Sequence, residues 1–331
     1  MGEKIFPVIS TGGVETENPI WLAPLAGVTT RAFRDFHRRM GAGLTHTEMI
    51  SATGLLYKNK KTFKMIGDSS EPEPTVVQLF GPSAPEIVRA AEAALRIKRF
   101  DAIEINMACP MPKVTKKCGG ASLLSNPDEA AMMVAGLKPL GPPVWVKLRK
   151  TLEGSRHIGT INFCKKMRDA GADLLIIHGR TPAQRYEGES DKEAVISAAR
   201  EFPGLVAATG DFFTPGDAEF YLNGGCVAVL AARGVIKDAL LIPRTLHALG
   251  RAVDGKLIDP SVPDRADMLL AAGMDAKSRD GERHAIVMIK RLMAGMFKGS
   301  RGVSELKRTV ASSGDWPSLE DALLRFAENR R

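Results

Sequence analysis

Cys109 is the residue with the most chemistry to offer. It stands in the run INMACP, just beyond a short apolar segment, in a loop stiffened by Pro110 and Pro112 and flanked by Lys113, Lys116 and Lys117. A thiol among cationic groups can act as an acid or a nucleophile, whereas a cysteine in apolar surroundings only packs; residue type alone leaves both open. Other polar or reactive types close their own apolar runs in the same way: Gln78 in VVQLFG, Asn106 in INMACP, Lys147 in PVWVKLR, His178 and Arg180 in IIHGRT, Asp211 in AATGDFF and Arg233 in ARG. Lys147 either snorkels to solvent or sets a fixed positive charge, which beside a flavin would stabilise negative charge on the reduced ring. Gln78 offers a donor and an acceptor to the edge of a planar heterocycle, and His178 with Arg180 suits a carbonyl or a phosphate. Each could equally be a satisfied interior polar group. Cys118, in KKCGGASLL, is the second thiol candidate, while Cys164 and Cys226 read as packing.

These residues need elements to position them. Eight apolar runs alternate with segments of helical period, the sign of repeated βα units on a parallel sheet. The strands are expected at Ile20 to Pro24, Leu44 to Glu48, Thr75 to Phe80, Ala102 to Asn106, Val144 to Leu148, Leu174 to His178, Leu205 to Thr209 and Val227 to Ala231. Helices are expected between them, among others at 30–40, 85–97, 127–138 and 160–170. Eight units over residues 20–250 suit a (β/α)₈ TIM barrel, and no GxGxxG follows the first strand as a doubly wound sheet would favour. The polar residues above then fall at the C-terminal ends of the strands, the face where barrels build their sites. Thr209, Gly210 and Asp211 after strand seven, with Ala232, Arg233 and Gly234 after strand eight, stand where barrels often hold a phosphate; plain turn chemistry is the alternative.

From about Asp259 no strand-like run remains, and helices are expected at 264–272, 282–296, 303–312 and 319–328. The expected organisation is therefore a barrel over 1–250, a linker over 251–263 and a small C-terminal helical domain over 264–331. Between Arg283 and Arg308 seven Lys or Arg face one acid, Glu305. That excess is either an ordinary exposed face or a surface for a polyphosphate. Arg31, Arg34, Arg38 and Arg39, with Lys58, Lys60, Lys61 and Lys64, add basic charge near the expected mouth.

The chain has 331 residues, 44% hydrophobic and 25% charged, which excludes disordered and fibrous classes. A formal charge of +8 favours an anionic partner. The four cysteines form no CxxC pair and lack zinc-finger histidines, so neither a metal site nor a disulfide framework is expected. No stretch is apolar enough to span a membrane, and the opening MGEKIFPVISTGG is unlike a leader, so the expected location is the cytoplasm.

The segments APLAGVTTRAFR (23–34), VVQLFG (76–81), EINMACPMPKV (104–114), GGASLL (119–124), VKLR (146–149), IHGRT (177–181) and ARG (232–234) together resemble the tRNA-dihydrouridine synthases, in order and spacing as well as residues. The resemblance runs from about Asn18 to Gly250 and more loosely through the helical tail. It implies an FMN-containing barrel with a C-terminal tRNA-binding domain, reducing the C5=C6 bond of particular tRNA uridines with NADPH, or alternatively NADH, as reductant. It places FMN against Pro24, Leu25, Ala26, Gln78, Lys147 and His178, and its phosphate against Thr209, Gly210, Asp211, Ala232 and Arg233. Cys109 corresponds to the cysteine of the family's Asn-x-Gly-Cys-Pro motif, the acid that protonates C5 after hydride from flavin N5 reaches C6. Asn106 and Arg180 would orient the uracil, and the protein would act as a monomer without metal. A free thiol, with an ordinary pKa of about 8.5, is mostly protonated at neutral pH and suits that role. The target base would have to leave its stack to be reached. Three positions depart from the family pattern: Ala108 replaces Gly, Thr209 replaces Asn, and Cys118 occupies a loop position that is not normally cysteine. Two other readings remain, a flavin oxidoreductase for a small enone or pyrimidine, and an RNA-binding protein without cofactor.

Overall fold

A computed structural model of the chain describes residues 9–154 and 157–328. A two-stranded antiparallel hairpin, β1 (Ile9–Thr11) and β2 (Val14–Thr16), precedes eight parallel strands that close into a barrel. These are β3 (Ile20–Leu22), β4 (Thr45–Ser51), β5 (Thr75–Phe80), β6 (Ala102–Met107), β7 (Val144–Arg149), β8 (Leu174–His178), β9 (Val206–Thr209) and β10 (Val229–Ala231), with β10 pairing back onto β3. Strands buried on both faces are rich in Val, Ile and Leu because the barrel interior and the helix layer both exclude water. The helix layer comprises α1 (Arg31–Arg39), α2 (Ala52–Leu56), α3 (Lys60–Ile66), α4 (Ala84–Leu95), α5 (Pro112–Thr115), α6 (Pro127–Leu137), α7 (Thr160–Asp169), α8 (Lys192–Glu201), α9 (Pro215–Asn223), α10 (Arg233–Lys237) and α11 (Leu241–Ala248).

The eight apolar runs are the eight barrel strands. β4 continues to Ser51, with a register shift between His46 and Met49 against β5. Such an irregularity bends the strand and re-aims its side chains; Met49 faces the barrel mouth. The hairpin escaped the periodicity argument because three-residue strands are too short to show one. It lies under the barrel floor, where the Trp145 indole N–H donates to the Gly12 carbonyl (2.8 Å) and Trp145 stacks on Trp21 with ring centroids 5.4 Å apart.

Beyond the barrel come α12 (Gly255–Ile258), α13 (Val262–Asp280), α14 (Glu282–Met296), α15 (Val303–Ser312) and α16 (Trp316–Glu328). The stretch expected as a linker thus carries a short helix and the start of α13. Ser261 and Asp264 form a reciprocal capping box that fixes this start, two residues earlier than expected, and α13 continues to Asp280. The buried faces of α13, α14, α15 and α16 share one apolar cluster with the barrel's helix layer. Polar contacts join them as well: Arg39 pairs with Asp275 (2.9 Å), Arg279 with Asp35, and Arg291 donates to the Gly27 carbonyl. No helix among the described residues is long and apolar enough to cross a membrane.

The arginines of α1 are not a free basic patch. Arg31 pairs with Asp35 and Asp68, Arg39 with Asp275, and Arg38 donates to the carbonyls of Ala42 and Glu73. Arg34 is buried against Glu71, which also takes Lys98 (3.0 Å). Burial alone would raise Glu71, but these two cations outweigh it and hold the carboxyl below its usual range.

His37, between Phe33 and Phe36, is fully buried with neither ring nitrogen hydrogen-bonded among the described residues, and burial pushes its pKa down to about 3. The folded value lies below the ordinary one of about 6.5, so below pH 6.5 the unfolded chain binds a proton that the folded chain refuses. Stability from this group is complete above pH 6.5 and falls by about 1.4 kcal/mol per pH unit towards pH 3. Denaturant titrations at pH 7 and pH 5 are expected to show wild type losing about 2 kcal/mol more than His37→Leu over that interval.

Candidate active site

A cup opens at the C-terminal ends of the strands. Its walls carry Pro24, Leu25 and Ala26 from the loop after β3, Gln78, Asn106, Cys109, Lys147 and His178 from the central strand ends, and Thr209, Gly210, Asp211, Ala232 and Arg233 from the last two loops. These are the expected site residues, save one. Arg180 is buried and absent from the wall; its guanidinium is spent on Asp211 (2.7 Å to each oxygen) and on the carbonyls of Glu187 and Gly188. Met49, Arg149, Tyr186, Phe212 and Phe213 also line the cup, and sequence reasoning did not single them out.

Cys109 is held from several directions. The Asn106 side-chain oxygen Oδ1 accepts from the backbone N–H groups of Ala108 (3.1 Å) and Cys109 (2.9 Å), and Arg149 Nε donates to the Ala108 carbonyl (2.8 Å). The Cys109 carbonyl accepts from Ala121 N–H (2.9 Å). Gly120, at φ +60°, lies so close that a Cβ there would come within 2.6 Å of the Cys109 carbonyl oxygen, which is why GGASLL opens on glycines. The thiol side chain is half-buried on the cup wall. Cys118, by contrast, is exposed and outside the wall, and Cys164 and Cys226 are buried.

Beneath Cys109 runs a buried polar relay. Asn106 donates to the Gln78 amide oxygen (2.9 Å), and Gln78 donates to Glu104. The other Glu104 oxygen lies 3.3 Å from His46 Nε2, while His46 Nδ1 contacts the Leu22 carbonyl (2.8 Å). One amide proton of Gln78 and one lone pair remain for a ligand. Asn106 is therefore a residue that shapes the Cys109 loop as well as lining the cup. Register places Gln78 opposite Glu104, Asn106 opposite Lys147, and Arg149 opposite His178.

The Lys147 ammonium has no hydrogen bond or ion pair among the described residues, although the side chain is buried. Burial pushes its pKa down to about 8, against the pull of Glu104 and with a further push from Arg149. His178 is lowered to about 2, by burial first and then by Lys147, Arg149, Arg180 and Arg233, so its ring is neutral. Arg180 N–H donates to His178 Nδ1 (3.2 Å), which leaves the ring proton on Nε2. Gly210, at φ +110°, sits against Ser190 and this ring: a Cβ there would stand 2.6 Å from Ser190 Oγ and 3.2 Å from His178 Nε2.

Asp211 ties Arg180 to Arg233 (3.0 Å) and accepts from Ser190 N–H (2.8 Å). Burial would raise this carboxyl, but the Arg180 and Ser190 hydrogen bonds and the two guanidinium charges hold it below its usual range. Its carboxylate thus serves to fix Arg233, which also lies over the Tyr186 ring (4.9 Å to the centroid). The arrangement combines a buried ammonium, a neutral imidazole N–H, an anchored guanidinium and a half-buried thiol around one cup.

Such a cup at the mouth of a closed parallel barrel defines a (β/α)₈-barrel protein with a concave candidate site lined by Lys147, Arg149 and Arg233. A family model described as dihydrouridine synthase matches residues 21–328, and the chain belongs to that family. Curated relatives include tRNA-dihydrouridine synthase B of Pseudomonas aeruginosa, 32% identical over 75% of this chain and 70% of the relative. A probable tRNA-dihydrouridine synthase of Mycobacterium tuberculosis is 28% identical over 97% of this chain and 85% of the relative. Among solved structures, the old yellow enzyme from Trypanosoma cruzi is similar in fold, with a TM-score of 0.54 at 13% identity over 74% of this chain and 92% of that one.

Proposed function

We propose that the protein is a tRNA-dihydrouridine synthase that uses FMN and NADPH to reduce the C5=C6 bond of specific uridines, with Cys109 as the acid. The observation that carries this reading is the cup itself, lined both by a buried Lys147 ammonium with no hydrogen bond or ion pair among the described residues and by Cys109, whose backbone is held by three separate contacts. The donor set fits a flavin: Lys147 and the His178 Nε2–H suit electron-rich ring atoms, Gln78 has one donor and one acceptor to spare, and Arg233 suits a phosphate. Bound there, FMN would supply the two-electron chemistry that no side chain of this chain can. Asp211 orients Arg233, and Asn106 with Arg149 fixes the backbone from which Cys109 delivers its proton. Tyr186, exposed on the cup wall, suits the target uracil better than the sequestered Arg180, whereas Arg149 is buried and donates to the carbonyls of Ala108, Thr181 and Arg185.

Residues 264–331 would hold the tRNA. Within this tail Arg291 is spent on Gly27 and Lys290 on the carbonyls of Ala311 and Ser313, while Arg283, Lys298, Lys307 and Arg308 make no ion pair among the described residues. Purified protein is expected to be yellow, to release FMN on denaturation, and to add two hydrogens to tRNA uridine when given NADPH, read by mass spectrometry of digested tRNA. Flavin-loaded protein that leaves tRNA uridine unchanged would refute the assignment.

A further inference from the structure

The corner joining α2 to α3 is built to throw side chains outward. At the end of α2, Lys58 N–H donates to the Leu55 carbonyl (2.9 Å) and Asn59 N–H to the Gly54 carbonyl (3.0 Å), the paired bonds of a Schellman motif. That motif wants glycine at its left-handed position, yet Lys58 sits there at φ +54°. Asn59 then caps α3, its side chain accepting from the N–H groups of Lys61 (3.0 Å) and Thr62 (3.2 Å). Both ends of the corner are fixed.

What the corner presents is unusual. Tyr57 is 83% exposed, more than any other large apolar or aromatic side chain among the described residues. Around it Lys58, Lys60, Lys61 and Lys64 make no side-chain hydrogen bond or ion pair among the described residues, in contrast to the spent arginines of α1. The corner is also tied to the cup by close backbone packing. A Cβ on Gly81 would come within 2.9 Å of the Ala52 Cβ, one on Gly119 within 3.2 Å of the Gly81 carbonyl oxygen, and Gly120 abuts Cys109. Tyr57 follows Ala52 by five residues, about 8 Å along α2 at 1.5 Å per residue.

We propose that Tyr57 and the adjoining lysines form a docking platform for an unpaired nucleotide of the substrate RNA, the phenol ring stacking on the base and Lys58, Lys60 and Lys61 meeting its phosphates. This rests on the functional reading above and names a contact within it. Stacking on an exposed aromatic among unneutralised cations is the physics of single-strand binding and tolerates any base. A protein partner fits less well, since lysine is depleted from protein interfaces. The lysine at a glycine position is informative here: the fold gains nothing from it, while a phosphate does.

The test uses the full flavin-loaded chain with a tRNA substrate. Tyr57→Ala is expected to weaken tRNA affinity and raise its KM about tenfold, with kcat and flavin reduction by NADPH unchanged, and Tyr57→Phe to restore both. Lys58→Gly is expected to melt no lower than wild type, because it relieves the left-handed strain, and to reduce the slope of log affinity against log salt by about one. tRNA affinity and KM within twofold of wild type in Tyr57→Ala, or an unchanged salt slope in Lys58→Gly, would overturn the platform. If Tyr57→Ala loses tRNA binding while wild type forms no dihydrouridine, the platform stands and the functional reading fails; dihydrouridine formation with unaltered Tyr57→Ala binding gives the reverse.

Discussion

Cys109→Ala is expected to keep its flavin and its rate of flavin reduction by NADPH while dihydrouridine formation falls by roughly 10²- to 10⁴-fold, the usual weight of a positioned general acid. The reasoning is geometric. Cys109 is on the cup wall, and its backbone is pinned through Asn106, Arg149 and Ala121, so removing the sulfur removes a proton donor without freeing the loop. Lys147 is cationic but is the group facing the electron-rich ligand in this reading, and His178 is neutral with its one proton on Nε2. Cys118→Ala is expected to be silent, since Cys118 is exposed and off the wall. Quantifying dihydrouridine by mass spectrometry for both variants decides the matter: full activity in Cys109→Ala would move the acid elsewhere.

The barrel was legible because eight apolar runs recur, four of them followed by a segment of helical period, and the repetition averages out boundary errors. The cup was legible because polar residues recur at the same end of several apolar runs, as with Gln78, Lys147 and His178, and this recurrence carries what no one of them carries alone. What stayed hidden has physical causes. Glu104 sits in the middle of AIEINM and reads as an interruption, although it alternates with Asn106 and so points to the same side. Arg149 stands two residues after Lys147 on the same strand and carried the same signal unused. Tyr186 belongs to a loop with no periodicity at all. The misjudged arginines show the opposite limit: charge can be counted from sequence, but whether Arg34 meets Glu71 or a phosphate depends on partners 37 residues away.

Lys147→Met is expected to move function and stability in opposite directions. Burial pushes this ammonium down to about 8, well below the value of about 10.4 in an unfolded chain. Between these values the unfolded chain holds a proton that the folded chain has released, so the stability of cofactor-free wild type rises with pH across that window, and the cost of burying the charge is fully felt below pH 8. Removing the charge is therefore expected to stabilise the cofactor-free protein by about 3 kcal/mol at pH 7, a gain that vanishes near pH 10.4. The same substitution removes the cation that would meet an electron-rich ring, and FMN affinity is expected to fall at least about tenfold, or 1.4 kcal/mol. In wild type the affinity should decline as pH rises through about 8, where the ammonium is lost, and the variant should show no such limb. Glu104→Gln provides the converse: it retains an oxygen for the Gln78 amide but withdraws the negative charge that favours the ammonium, so the limb moves to lower pH. FMN titrations and denaturant curves on the three proteins from pH 6 to pH 10 test all of this together. A Lys147→Met protein that binds FMN normally, or that is less stable than wild type at pH 7, would show that Lys147 serves the fold and not the ligand.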